Sequence, residues 1–132
     1  MTPSDLQSAL SEHFAPWVQA LGLTIAEAAP THVTATLPVT DALSRVGGIV
    51  SGQALAAATD TVMVLALAAH RGEFVPAATT NLDTQFLGAG RGLLTVRAEV
   101  LRAGRRLAFA EARVVGEDGR PVANATATLA LP

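Results

Sequence analysis

Cysteine is absent from this 132-residue chain, which excludes a disulfide framework, a thiol nucleophile and any thiolate metal site. Tyrosine is absent as well, and with only one Trp and four Phe the core must be built from small aliphatic side chains. Charge is scarce too. Only 15% of residues are charged and the formal net charge is −2, without the basic face expected of a nucleic-acid binder. His13, His32 and His70 lie far apart with no HxxxH or HExxH spacing, so neither a metal site nor a metal cofactor is expected. No GxSxG elbow marks a serine nucleophile. The opening MTPSDLQSALSE lacks a basic segment followed by an apolar run. No signal peptide is therefore expected, and a cytoplasmic location is. No repeat, low-complexity tract or linker divides the chain, so a single domain over residues 1–132 is expected.

What is present is organised around Arg45 to Arg71, RVGGIVSGQALAAATDTVMVLALAAHR. A glycine-bearing loop, Val46 to Gly52, leads into a run from Gln53 to Arg71 without Gly or Pro, rich in strong helix formers and stopped by Gly72. The run is apolar nearly all round, as for a helix buried on most sides. Thr59, Asp60 and Thr61 interrupt it well short of the roughly 18 apolar residues of a membrane span, so no membrane association is expected. A carboxylate in such surroundings is costly unless paired or hydrogen-bonded. Asp60 is thus either a structural acid bonded to nearby backbone or hydroxyl groups or a catalytic carboxylate in a cleft.

Ahead of the central helix, Ser4 is expected to cap a short N-terminal helix with Asp5 in its first turn. Leu6, Leu10, Phe14 and Trp17 recur at helical spacing, although Pro16 should break the path. Trp17, Val18, Leu21 and Leu23 form an apolar cluster that either packs over the core edge or lids a pocket. Two strands follow, Leu23 to Ala28 and His32 to Leu37, with Val33, Ala35 and Leu37 on one face and a turn at Ala29-Pro30-Thr31. Asp41 to Arg45 then reads as a loop.

Four strand-like runs follow the central helix. Strict alternation over Ala77 to Leu87 puts Ala78, Thr80, Leu82, Thr84 and Phe86 on one face and Thr79, Asn81, Asp83 and Gln85 on the other. GAGRG at Gly88 to Gly92 precedes a strand rather than a helix, so it reads as a turn and not as a phosphate-binding loop. Leu93 to Leu101, Leu107 to Val115 and Val122 to Leu131 alternate likewise, with turns at Arg102 to Arg106 and at Glu117-Asp118-Gly119. Short connections predict a meander of these four strands. The expected architecture is α+β: a short N-terminal helix and one antiparallel sheet wrapped around one long central helix.

The chemistry converges on the start of that helix. Backbone N–H groups at Gly52 and Gln53 lie in its first turn, where unpaired donors and the positive dipole end can hold a developing oxyanion. Gly52 also allows close approach of a carbonyl. Gln53 and Asp60 share a face about two turns, or roughly 10 Å, apart, too far to act together on one carbonyl. A symmetric dimer that brings Asp60 of one subunit to Gly52 of the other resolves this. Such a dimer is expected through the strand Ala77 to Leu87, by its polar row.

With GGIVSGQALAAATDTVMVLAL followed by TTNLDTQFL, the chain resembles hotdog-fold thioesterases of the phenylacetic-acid-degradation (PaaI-like) group from about Leu23 to Leu131. In that group a loop reading HGG leads into the central helix and an Asp follows along it. Aligned on the acid, Ser51-Gly52-Gln53 stands in place of HGG, and Arg45 stands where an upstream Asn often lies. The resemblance implies hydrolysis of acyl- or aryl-acyl-CoA thioesters in a homodimer or a dimer of dimers, with no cofactor. Gly52, with Gln53, inherits the oxyanion role and Asp60 that of base or nucleophile. Ser51 and Thr79 support by hydrogen bonding, and Arg45, Arg105 and Arg106 are candidate substrate-binding residues, the last two for coenzyme A phosphates or merely a solvated turn. The departure at Ser51 keeps open a second reading, a hotdog protein that binds acyl-CoA without hydrolysing it.

Overall fold

The computed structural model describes all 132 residues, Met1–Pro132. Helix α1 (Pro3–His13) is capped by Thr2 rather than Ser4. The Thr2 hydroxyl accepts from the Asp5 N–H at 3.1 Å, and the Asp5 carboxylate accepts from the Thr2 N–H at 2.8 Å. The Thr2 N–H above all, with the Thr2 hydroxyl beside it, holds the Asp5 carboxyl below its usual range. The helix stops before Pro16, because the residue ahead of a proline is driven into extended backbone, and a single-turn helix α2 (Pro16–Gln19) begins afresh there. Trp17 is 64% exposed at the rim of the cluster, while Leu6, Leu10, Leu21 and Leu23 are buried.

Strands β1 (Thr24–Ala29) and β2 (His32–Pro38) pair as expected. Where a plain loop was expected, Asp41–Leu43 makes a 3-10 turn and Ser44–Arg45 (β3) pairs with Ile49–Val50 (β4) in a small hairpin. Helix α3 (Gly52–Arg71) follows, capped by Ser51 and ended by Gly72 in the left-handed region at φ 80°. It is long and apolar enough to cross a bilayer by composition. Instead it forms the core: Thr61 to Ala69 is buried without interruption. Strands β5 (Ala78–Phe86), β6 (Leu93–Ala103), β7 (Leu107–Val115) and β8 (Pro121–Ala130) complete one antiparallel sheet, in the order β1-β2-β6-β7-β8-β5. Its buried face is dominated by alanines, among them Ala35, Ala98, Ala110, Ala112, Ala125 and Ala127, so the backbone of the sheet can curve closely around α3.

Two features depart from the alternation pattern. The last four strands are not a simple meander: β5 pairs with β8 at the sheet edge, and β6 lies between β2 and β7. The GAGRG segment is the crossover that makes this possible. The Gly90 carbonyl accepts from the Val50 N–H at 2.9 Å and the Gly92 carbonyl from the Val39 N–H at 2.7 Å. Gly90 is buried, and a Cβ there would lie 2.8 Å from Val50 Cγ1. Second, a β-bulge interrupts β5. Thr79 pairs with Leu129 but Asn81 with Thr128, leaving Thr80 as the extra residue. The bulge shifts Thr79 out of the row of Asn81, Asp83 and Gln85 and onto the helix-facing side with Leu82, Thr84 and Phe86.

Gly90→Ala is expected to lower stability by about 1–3 kcal/mol, since the methyl group has no room against Val50, Leu94 and Val122. The shift of the urea unfolding midpoint measures it; an unchanged midpoint would show that the crossover is not tightly packed.

Candidate functional site

The start of α3 is pinned from two sides. The Ser51 N–H donates to the Leu43 carbonyl at 2.8 Å, and the Ser51 side chain accepts from the Ala54 N–H at 3.2 Å. The Leu55 N–H is taken by the Ser51 carbonyl, and no protein acceptor engages the N–H of Gly52 or of Gln53. Two donors at the positive end of a 20-residue helix are thus left for an outside acceptor.

Gly52 opens into a cavity of about 470 Å³ lined by Arg45, Ile49, Leu55, Phe86 and Leu87. Phe86 lies over the glycine: a Cβ at Gly52 would be 3.2 Å from Phe86 Cζ, while the Phe86 ring is itself 57% exposed. The absence of a side chain at Gly52 therefore keeps an aromatic face and a free N–H side by side. The Gln53 side chain is exposed and lines a second cavity of about 360 Å³ with Trp17, Leu21, Leu43, Ser51 and Ala54.

Asp60 is half-buried, and its surroundings follow from β5. The Thr79 hydroxyl donates to Asp60 Oδ1 at 2.7 Å, a bond that the bulge at Thr80 permits by turning Thr79 toward the helix. The flanking threonines are no help to the acid. Thr59 donates to the Leu55 carbonyl at 2.9 Å and Thr61 to the Ala57 carbonyl at 2.7 Å, each back into its own helix. Asp60 Oδ2 accepts no bond from the protein, and Asp60 lines a cavity of about 360 Å³ with His13, Phe14, Val64, Phe74 and Thr79. A carboxylate with one oxygen held and the other free is poised to accept a proton or to attack.

The structure therefore gathers the expected site residues into separate groups. Arg45 joins Gly52, Ser51 joins Gln53, and Thr79 joins Asp60. Gly52 and Asp60 are eight residues apart on one helix, about 12 Å, and open into different cavities. Arg105 and Arg106 stand on the β6–β7 turn beside the C-terminal end of α3, where Arg71 donates to the Gly104 carbonyl at 2.7 Å. They are the length of the helix away from Gly52. Sequence reading missed Phe86, Phe14, Phe74 and His13 as cavity residues. The signal available was scarcity itself, since a chain with so few aromatics places most of them around these cavities.

The sequence profile of the thioesterase superfamily matches residues 47–123. No curated protein sequence matches the chain significantly. A conserved protein from Pseudomonas aeruginosa is 27% identical, with a TM-score of 0.84 over 94% of this chain and 99% of that one. A thioesterase family protein from Silicibacter pomeroyi is 26% identical, with a TM-score of 0.85 over 97% and 96% of the two chains. A hypothetical thioesterase from Streptococcus pneumoniae, whose crystal structure contains coenzyme A, shares the fold at 22% identity, with a TM-score of 0.77 over 83% and 85%.

Ser51→Ala removes the only side-chain cap of α3 and is expected to cost about 1 kcal/mol of stability. Chemical denaturation measures that loss, and an unchanged midpoint would show that the Leu43 contact alone positions the helix start.

Proposed function

The chain belongs to the thioesterase superfamily and is a thioester hydrolase of the hotdog fold; from that premise we propose that it cleaves acyl-CoA at a site shared by two subunits. The observation that carries this reading lies along β5. Phe86, at its end, packs on Gly52, while Thr79, at its start, holds Asp60. β5 is the sheet edge and has one ladder partner only. Antiparallel pairing of two such edges about a twofold axis near Leu82–Asp83 sets Phe86 opposite Thr79 of the partner subunit. That register brings Asp60 of the partner subunit across from the free N–H groups of Gly52 and Gln53. The row of Asn81, Asp83 and Gln85 lies along the outer face of the joined strands. Exposed Leu82, Phe86 and Leu87 give the contact apolar area.

In this arrangement the thioester carbonyl oxygen accepts from Gly52 and Gln53, which stabilise it most when it becomes an oxyanion. Asp60 Oδ2 takes a proton from water as the water oxygen bonds to the carbonyl carbon. Collapse of the tetrahedral intermediate breaks the C–S bond, and the departing thiolate recovers the proton, giving free acid and coenzyme A. Thr79 fixes the carboxylate so that its unbonded oxygen faces the water. Arg45 lines the Gly52 cavity, and its guanidinium suits the phosphates of a coenzyme A bound there. Hydrolysis of acyl-CoA accords with a cytoplasmic location.

Asp60→Asn keeps the shape and the acceptor for Thr79 but removes the base, so thiol release from acyl-CoA is expected to fall by about 10²-fold or more in a protein that still folds. Full activity in the folded variant would remove Asp60 from the mechanism. Sedimentation at micromolar concentration is expected to show at least a dimer, and a monomer with full activity would contradict a shared site.

A further inference from the structure

The chain has one Trp and four Phe, yet none belongs to its largest fully buried side chains, which are all Leu, Val or Met. Aromatics normally dominate core energetics, so their placement elsewhere asks for a reason. Here Phe86 covers Gly52, Trp17 lines the Gln53 cavity, and Phe14 and Phe74 line the Asp60 cavity. Only Phe109 stands apart, on the outer face of β7.

The Asp60 cavity is the most aromatic of the three. His13, the last residue of α1, stacks on Phe74 from the segment after α3, with ring centroids 4.0 Å apart and planes within 3°. Phe14 meets Phe74 edge-on at 6.2 Å. Val64 is one turn beyond Asp60 on α3, so the cavity runs along the helix from the carboxylate toward Phe74. Its volume of about 360 Å³ is near the lower end of the roughly 300–1,000 Å³ of small-molecule sites. Across the carbonyl lies the larger Gly52 cavity, about 470 Å³, with Arg45, suited to the charged thiol component.

We infer that the Asp60 cavity is the acyl-group subsite and that the His13–Phe74 stack is its end wall, admitting compact acyl groups, short or ring-sized, and excluding long chains. This inference rests on the reading that Asp60 acts on a thioester. The wall is made by contact between two separate elements, so it limits length without touching the reacting atoms: His13 and Phe74 set specificity and are not catalytic.

The test uses S-alkyl-CoA thioethers of increasing chain length, which bind without being cleaved, with calorimetric Kd values for the wild type, Phe74→Ala and His13→Ala. His13 is an exposed side chain, so its variant reports even if loss of Phe74 impairs folding. Wild-type affinity is expected to peak with compact groups and fall for long ones, and either variant should improve binding of long-chain thioethers by about tenfold. Thiol release from the matching thioesters is measured in parallel. A shifted length preference without any hydrolysis would sustain the subsite while refuting the hydrolytic reading. Hydrolysis with a length preference that neither variant moves would overturn the subsite, as would failure of every thioether to bind.

Discussion

The burial of α3 inside a sheet lined with alanine is the constraint on which everything else depends. A helix packed so closely on its long side can offer chemistry only where the packing ends. Apart from its C-terminal His70 and Arg71, two such places remain. At its N-terminus, Ser51 caps Ala54 and leaves the N–H groups of Gly52 and Gln53 unengaged. Along its flank, Asp60 is the one acid, and it stays half-exposed because β5 is the last strand of the sheet and covers only part of that side. The cost of desolvating a carboxylate is met by a single charge-assisted bond from Thr79, which leaves the second oxygen available.

Helix geometry then forces the division of labour. About 12 Å separates the free N–H of Gly52 from Asp60 in one chain, and no side-chain rotation closes that gap. The edge strand connects the two, because its start touches Asp60 and its end touches Gly52. A strand with its ladder open on one side is normally blunted by charge or proline. Here no proline interrupts it between Ala78 and Phe86 and a single charge, Asp83, stands among exposed Leu82 and Phe86, so the edge is only lightly blunted and stays open to pairing with a second copy. Thr84, on the helix-facing side between the two ends, has a buried hydroxyl without a protein partner.

Much of this was legible in the sequence, because the strongest signals were long and periodic. The uninterrupted run from Gln53 to Arg71, with Gly72 after it, gave the central helix, and the alternation of Leu107 to Val115 gave its strand without adjustment. Asp60 stood out as the only charge within an apolar run. What failed were single-residue events that periodicity cannot register. The extra residue at Thr80 turned Thr79 to the opposite face, and strict alternation had placed it with Asn81. The glycine-rich segment after β5 reads as a short turn within a meander, whereas its small residues serve a crossover that packs against Val50. Nor could spacing reveal that His13 and Phe74, 61 positions apart, stack in the cavity beside the acid.

The central claim is that Gly52 of one subunit works with Asp60 of the other, and subunit mixing tests it most directly. Gly52→Pro deletes one free N–H at the first helical position, where proline is tolerated, and Ser51 at φ −71° and ψ 151° already has the backbone of a residue preceding proline. The proline ring also pushes aside the exposed Phe86 ring, which a Cβ there would meet at 3.2 Å. Neither Gly52→Pro nor Asp60→Asn should retain appreciable thioesterase activity alone. Unfolded together in equal amounts and refolded, they should recover up to about a quarter of wild-type activity, since half the dimers are mixed and each mixed dimer holds one intact site. Mixed dimers that form but recover nothing would contradict a site built from two subunits.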